Sequence, residues 1–130
     1  MRNLIMTALF AVFVLGGSTG ASLARHFHAP RIPTGCLPGS IKARLSEIRK
    51  KFGPITIIST YRPGARIAGT GHRSKHADCR AVDFKLKNKL KAWRWLNKVH
   101  NGGLGIYHGK CNHLHIDNGP RARWNRGYCG

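Results

Sequence analysis

The sequence predicts a small α+β domain, a mostly antiparallel sheet with its helices packed on one side. Three observations carry that expectation. Two apolar series recur at helical spacing, Ile41-Leu45-Ile48-Phe52 and Leu90-Trp93-Leu96-Val99. Short β-branched or alternating runs lie between and after them. The 130 residues, 42% of them hydrophobic, leave room for one domain with a real core and make wholesale disorder a poor reading.

Taken in order, Ser40 is the expected cap of the first helix, with basic residues on its outer faces and Gly53-Pro54 as its stop. Ile55 to Thr60 is β-branched and short, as in a buried strand. Tyr61 to Lys75, with Pro63, Gly64, Gly69 and Gly71, reads as a loop of about 15 residues, a length that in a compact domain usually has a function. Ala81 to Phe84 supplies a second strand. The second helix runs from Asn88 to Asn101 and ends at Gly102-Gly103. Leu104 to His108 and His113 to Asp117 are two further strands joined through Gly109-Lys110-Cys111-Asn112. There is no internal repeat and no low-complexity tract.

The beginning of the chain has secretory syntax: Arg2, an apolar run from Leu4 to Leu15, then small residues. Residues 1–24 are expected to be a signal peptide cleaved after Ala24, with Ser22 at the minus-three position; cleavage after Ala21 is the alternative. The run is shorter than the roughly 20 apolar residues of a bilayer span, so the mature form is expected to lack a transmembrane helix. Residues 25–39, with three prolines and two histidines, form an extended lead-in to a domain at 40–130. The expected location is periplasmic or secreted, and the expected state monomeric.

Cys36, Cys79, Cys111 and Cys129 all follow the leader, and their even number suits two disulfides in an oxidising compartment. Three pairings are possible. Cys79 with Cys111, flanking the two histidine segments, and Cys36 with Cys129, tying the ends, are favoured. A four-thiolate zinc site is the rival, but the cysteines lack the paired spacing of such modules.

Two segments concentrate the unusual chemistry: Ser74-Lys-His76-Ala-Asp78-Cys-Arg-Ala81-Val-Asp83 and His113-Leu-His115-Ile-Asp117. On a strand, residues two apart face one side, so His113, His115 and Asp117 project together while Leu114 and Ile116 enter the core. A hydrolytic zinc site takes three His or carboxylate ligands and keeps one position open. His76, Asp83 and His115 can supply that set, with His113 beside the metal to take a proton from water or to stabilise an oxyanion. A single histidine is most often an ordinary exposed or hydrogen-bonded side chain; the joint pattern is what is specific.

Ser74-x-His76-x-x-Cys79-x-Ala81-x-Asp83 resembles the SxHxxGxAxD signature of the zinc D-Ala-D-Ala carboxypeptidase family. His113-x-His115 is similar to the HxH motif of the wider group that contains lysostaphin and Sonic hedgehog. His115-Ile-Asp117-Asn-Gly119-Pro-Arg121-Ala-Arg123-Trp124 resembles the HVDxGxxRxW ending of the murein endopeptidase branch, and Ser59-Thr-Tyr61-Arg62-Pro63 its SxYRP element. The resemblance spans about Ile41 to Trp124. It implies the hedgehog/DD-peptidase zinc fold, one zinc per chain on His76, Asp83 and His115, and cleavage of peptidoglycan peptides. It also implies His113 at the water or oxyanion, and Arg62 on a substrate carboxylate or the scissile carbonyl. Carboxypeptidase and endopeptidase action, on a D,D or an L,D bond, all stay open.

Two departures carry consequences. Cys79 stands where the signature has Gly, so a disulfide is expected to fix that turn. Asn112 occupies the position where some relatives carry an acidic base, which leaves His113 as the favoured base, Asp117 or Asp78 as weaker ones, and for Asp117 the alternative of orienting a histidine. Ser74 either contacts substrate or caps a turn, the latter favoured.

With 23 Lys+Arg against Glu47, Asp78, Asp83 and Asp117, the net charge is +19, and still +18 once Arg2 leaves with the leader. That scarcity of acids excludes a surface laced with ion pairs and calls for an anionic partner. Peptidoglycan and anionic cell-envelope polymers suffice. Nucleic acid is the rival, with Tyr61, Trp93, Trp95, Trp124 and Tyr128 as possible stacking residues, but no nucleic-acid fold motif is present. A further alternative is a non-catalytic wall-binding module with a structural zinc; an intact His113 and the want of a fourth ligand argue against it.

Overall fold

The computed structural model describes residues 32–127. The expected leader, most of the lead-in, Tyr128 and Cys129 lie outside the described residues.

Helix α1 (Gly39–Phe52) buries Ile41, Leu45 and Ile48, the expected stripe. It begins one residue before Ser40, and Pro38 takes the cap position without a side-chain hydrogen bond. The Pro38 carbonyl accepts the N–H groups of Ile41 and Lys42, so the backbone itself starts the turn and Ser40 falls inside it. Gly53, at φ 90°, closes the helix by donating to the Arg49 carbonyl.

The sheet has the order β1-β2-β4-β3-β5. Strands β1 (Ile55–Ser59), β2 (Ala81–Leu86), β4 (Leu114–Asp117) and β3 (Gly103–Tyr107) pair antiparallel, while β5 (Ala122–Arg126) runs parallel to β3. Two expectations change here. β1 is an edge strand with alternating half-buried and exposed residues, because only one of its faces meets the helices. β5 is a strand that the sequence pattern did not announce, since Ala-Arg-Trp-Asn-Arg has neither an apolar run nor strict alternation.

Val82 and Phe84 of β2, Leu104 and Ile106 of β3, and Leu114 and Ile116 of β4 form one core cluster with the buried residues of both helices. Both helices therefore cover this face of the sheet, and the intervening residues, Asp83 and His115 among them, point to the opposite face. The second helix is shorter than expected, α2 (Lys89–Val99), and buries Ala92 and Leu96. Leu90 is 53% exposed rather than core. At 100° per residue it lies about 160° around the helix from Ala92. The carbonyls at the end of α2 receive arginines: Arg44 donates to Val99 O at 2.8 Å, Arg121 to Asn97 O at 3.0 Å, and Arg123 to both Gly102 O and His100 O. Part of the positive charge is thus structural, set where helix carbonyls are unpaired.

The disulfide joins Cys36 to Cys79, not Cys79 to Cys111, with Cα atoms 5.9 Å apart. The register of β2 on β4 explains the correction. Ala81 lies opposite Asp117 and Phe84 opposite Leu114, so Cys79 and Cys111 emerge at opposite ends of the strand pair. This also sets aside Cys36 with Cys129. Cys111 is itself disulfide-bonded, and no described cysteine is free, which removes the four-thiolate zinc reading.

Candidate metal centre

Between β1 and β2 the chain makes the long loop, and it is ordered by its own hydrogen bonds. An isolated bridge pairs Arg66 with Arg73, and Ser74 N–H donates to Ala65 O at 2.9 Å. A 3-10 turn, Lys75–Asp78, follows; Ser74 Oγ caps it by accepting the His76 N–H, and Arg62 N–H donates to His76 O at 2.9 Å. Cys79 ends the turn at φ 54° and ψ 32°, the left-handed conformation that the glycine of the resembled signature would take without strain. The chain then enters β2, carrying Asp83 onto the open face.

His76 comes from this turn, Asp83 from the middle of β2 and His115 from β4, where it lies directly opposite Asp83. All three are buried, and one ligand atom from each falls within 4.8 Å of the others. His76 Nε2 is 3.1 Å from Asp83 Oδ2, His115 Nδ1 is 2.8 Å from Asp83 Oδ1, and the two imidazole nitrogens are 3.2 Å apart. The far nitrogen of each ring is also engaged. His76 Nδ1 bonds the Thr60 carbonyl at 2.6 Å, and His115 Nε2 bonds Asp117 Oδ2 at 3.1 Å. Histidines that ligate metals are oriented in this way, through the nitrogen that the metal does not use.

Asp117 is fixed in turn. Its Oδ1 accepts the N–H groups of Gly119 at 2.7 Å and Gly103 at 3.2 Å. A side chain at Gly103 would place Cβ 2.2 Å from the Asp117 carboxylate, so only glycine admits it. The carboxylate anchors a histidine, the orienting role, and is not placed as a base. Burial would raise the Asp83 pKa, but hydrogen bonds from His115 and His76 outweigh it and hold the carboxyl far below its usual range. Burial would lower that of His115, and the hydrogen bonds to Asp117 and Asp83 raise it instead. The result is a preoriented set of two imidazole nitrogens and one carboxylate oxygen, in which a metal ion would take the place of the proton on His115, and such a set suits zinc.

His113 precedes β4 and stands at the edge of this cluster. Its Nδ1 bonds Cys111 O at 3.1 Å, which directs Nε2 inward to 3.9 Å from Asp83 Oδ1. Burial keeps its pKa below the ordinary histidine value, so Nε2 carries a lone pair at neutral pH. Arg62 Nη2 lies 3.8 Å from Asp83 Oδ2, close to the donors. Asp78, the other weaker candidate for a base, and Asn112, at the position where some relatives carry one, are elsewhere. Asp78 is bound by Arg73 at the surface, at 2.5 and 3.0 Å, and Asn112 is exposed and held by Lys89 Nζ at 2.5 Å. Neither lines the cavity.

That cavity measures about 780 Å³ and is bordered by Arg62, Arg66 and Lys75, with Ile67 and Trp124 among its apolar walls. Trp124, on β5, packs beside His115 with ring centroids 5.1 Å apart. Gly105 makes room for the indole, since a Cβ there would lie 2.2 Å from Nε1. The Thr60 carbonyl and Tyr107 are the site groups that sequence reasoning missed. Backbone atoms leave no pattern, but Gly103-Gly105-Tyr107 alternates on one strand face and was a usable signal.

A family model for peptidase M15 matches residues 20–117, which include His76, Asp83, His113, His115 and Asp117. The chain belongs to the peptidase M15 family. M15 peptidases are zinc-dependent metallopeptidases, and the three-residue cluster is where this member can hold the ion. Among curated proteins and among solved structures, no match is found. Within the described residues no helix is long and apolar enough to cross a membrane.

Proposed function

We propose that this M15 peptidase is an exported enzyme that hydrolyses peptide bonds in peptidoglycan stem peptides or cross-links. The observation that carries the reading is a donor set that numbers three among the described residues, opening on a large cavity with a basic rim. Structural zinc sites are closed by four protein ligands, whereas catalytic ones keep a position for water. That contrast favours an enzyme over a wall-binding module.

Zinc bound by His76 Nε2, an Asp83 oxygen and His115 Nδ1 would acidify a water molecule and polarise a carbonyl. His113 Nε2 takes the proton from the attacking water and later delivers it to the departing amine. Asp117 keeps the His115 ring in orientation. The Arg62 guanidinium, as a two-pronged donor, binds a carboxylate of the stem peptide, and Arg66 and Lys75 favour the same anionic substrate. Ser74 holds the His76 turn in place and borders the cavity, where it can also meet the peptide.

Anionic cell-envelope polymers are the proposed second partner. All four carboxylates are engaged: Glu47 with Arg44, Asp78 with Arg73, and Asp83 and Asp117 with histidines. Lys91, Arg94 and Lys98 are left along the outer face of α2, which faces away from the cavity. Nucleic acid is disfavoured because Trp93 and Trp95 pack against the core and Trp124 lines the cavity beside His115, which leaves Tyr61 as the exposed stacking candidate among the described residues.

The test is digestion of purified sacculi by the mature protein, with and without a chelator, with released muropeptides resolved by mass. The expected result is chelator-sensitive peptide cleavage, its products naming the bond. His113→Ala should keep about one zinc per chain and lose roughly two to four orders of magnitude in rate. Zinc binding without any peptide release would establish the binding-module alternative.

A further inference from the structure

We infer that the Tyr107 hydroxyl is a catalytic residue of this site, donating a hydrogen bond to the carbonyl oxygen of the scissile bond as that oxygen gains negative charge. The inference rests on the peptidase reading above. Tyr107 ends β3, two residues beyond Gly105, on the face that Gly105 shares with His115. Its ring stacks on His113, with centroids 4.3 Å apart and planes 19° from parallel, and it lines the cavity. The same cavity is lined by Asp83, His115 and Arg62.

The hydrogen bonding of the phenol decides its role. Trp124 Nε1–H donates to Tyr107 Oη at 2.9 Å, so the oxygen is already an acceptor. No described group accepts the phenolic proton. Burial raises the phenol pKa, so that proton is retained through neutral pH. The arrangement is a half-buried O–H, fixed by an indole and by a stacked imidazole, with its donor capacity unspent beside the metal donors. A donor preorganised in this way strengthens with the charge that develops on a tetrahedral intermediate.

The step balances without proton transfer from tyrosine. The water oxygen bonds to the carbonyl carbon, the π pair moves onto the carbonyl oxygen, and Tyr107 O–H bonds that oxygen. Collapse restores the carbonyl and breaks the C–N bond, and the amine takes the proton held at His113 Nε2. Arg62 is thereby freed to bind the carboxylate of the peptide.

Tyr107→Phe keeps the ring and its stacking on His113 and removes only the hydroxyl. It should lower kcat on a soluble stem peptide by about 100-fold to 1000-fold with little change in KM. Zinc content and thermal stability should match wild type. By calorimetry, a phosphinate analogue of D-Ala-D-Ala should bind the zinc-loaded variant at least tenfold more weakly than wild type, while the D-Ala-D-Ala dipeptide itself binds equally. Trp124→Phe, which leaves the phenol without its anchor, should show a smaller loss of the same kind. Wild-type kcat and phosphinate affinity in Tyr107→Phe would overturn the assignment. Failure of wild type to cleave sacculi while it still binds the phosphinate would count against the peptidoglycan reading and leave the affinity ratio to decide the role of Tyr107; failure to bind the phosphinate as well would overturn both.

Discussion

Replacing the disulfide tests how the turn between His76 and Asp83 is held. The Cys36–Cys79 link closes a loop with a sequence separation of 43. For a loop of that size, restriction of the unfolded chain corresponds to about 4 kcal/mol. Against this, Cys79 sits at φ 54°, which costs a non-glycine residue about 1 kcal/mol. The pair Cys36→Ser/Cys79→Ser should therefore lose about 4 kcal/mol, and Cys36→Ser/Cys79→Gly about 3 kcal/mol. Urea unfolding is the assay, carried out with a chelator so that metal binding does not add its own stabilisation. The glycine variant should also recover more zinc affinity than the serine variant, since its turn reaches the left-handed region without strain. Equal stability of the two variants would refute the backbone argument, and wild-type stability in both would refute the cross-link argument.

Asp117→Asn should weaken zinc binding by about 10-fold to 100-fold with the fold retained, because the orienting charge behind His115 is gone; competition with a metal-binding dye reads this, and wild-type affinity would contradict it. Arg62→Lys keeps the charge but loses the two-pronged donor, so cleavage should fall while binding to sacculi in a pull-down stays unchanged; equal effects on both, or on neither, would return Arg62 to the ordinary surface charges. His100 is buried, and burial holds its folded-state pKa below the ordinary value despite a bond to Asp117 O at 2.9 Å. Protonation therefore favours the unfolded chain, and this contribution is lost as pH falls through the unfolded value near 6.5. His100→Gln keeps a donor and does not titrate, so the stability of wild type relative to this variant should decline between pH 7.5 and 5; a constant difference would refute it.

The helix-facing core and the shared face of His113, His115 and Asp117 were legible in the sequence because both depend on short-range periodicity, whereas His76 and Asp83 were brought forward by ligand type and by the motif resemblance. Leu114 and Ile116 alternate with His113, His115 and Asp117, and a strand has no other way to place them. Ile41, Leu45 and Ile48 needed only the 3.6-residue turn. Leu90 misled because membership of an apolar series does not say which side of α2 meets the sheet. β5 stayed hidden because Ala-Arg-Trp-Asn-Arg carries no strand pattern of its own and is placed by its parallel pairing with β3. The disulfide required the register of β2 on β4, which no spacing of cysteines contains.

The sequence alone thus brought forward His76, Asp83 and His115 as a set that can hold a metal, and the structure gathers these three. How they are held was settled only by tertiary structure. The Thr60 carbonyl behind His76, the glycines that admit Asp117 and Trp124, and the indole on the Tyr107 hydroxyl are contacts between separate segments. They arise where β1, β3 and β5 close around the pair β2 and β4. The physical reason is range: alternation along a strand is set by neighbouring peptide units, whereas orienting a ligand takes a partner brought across the sheet by packing.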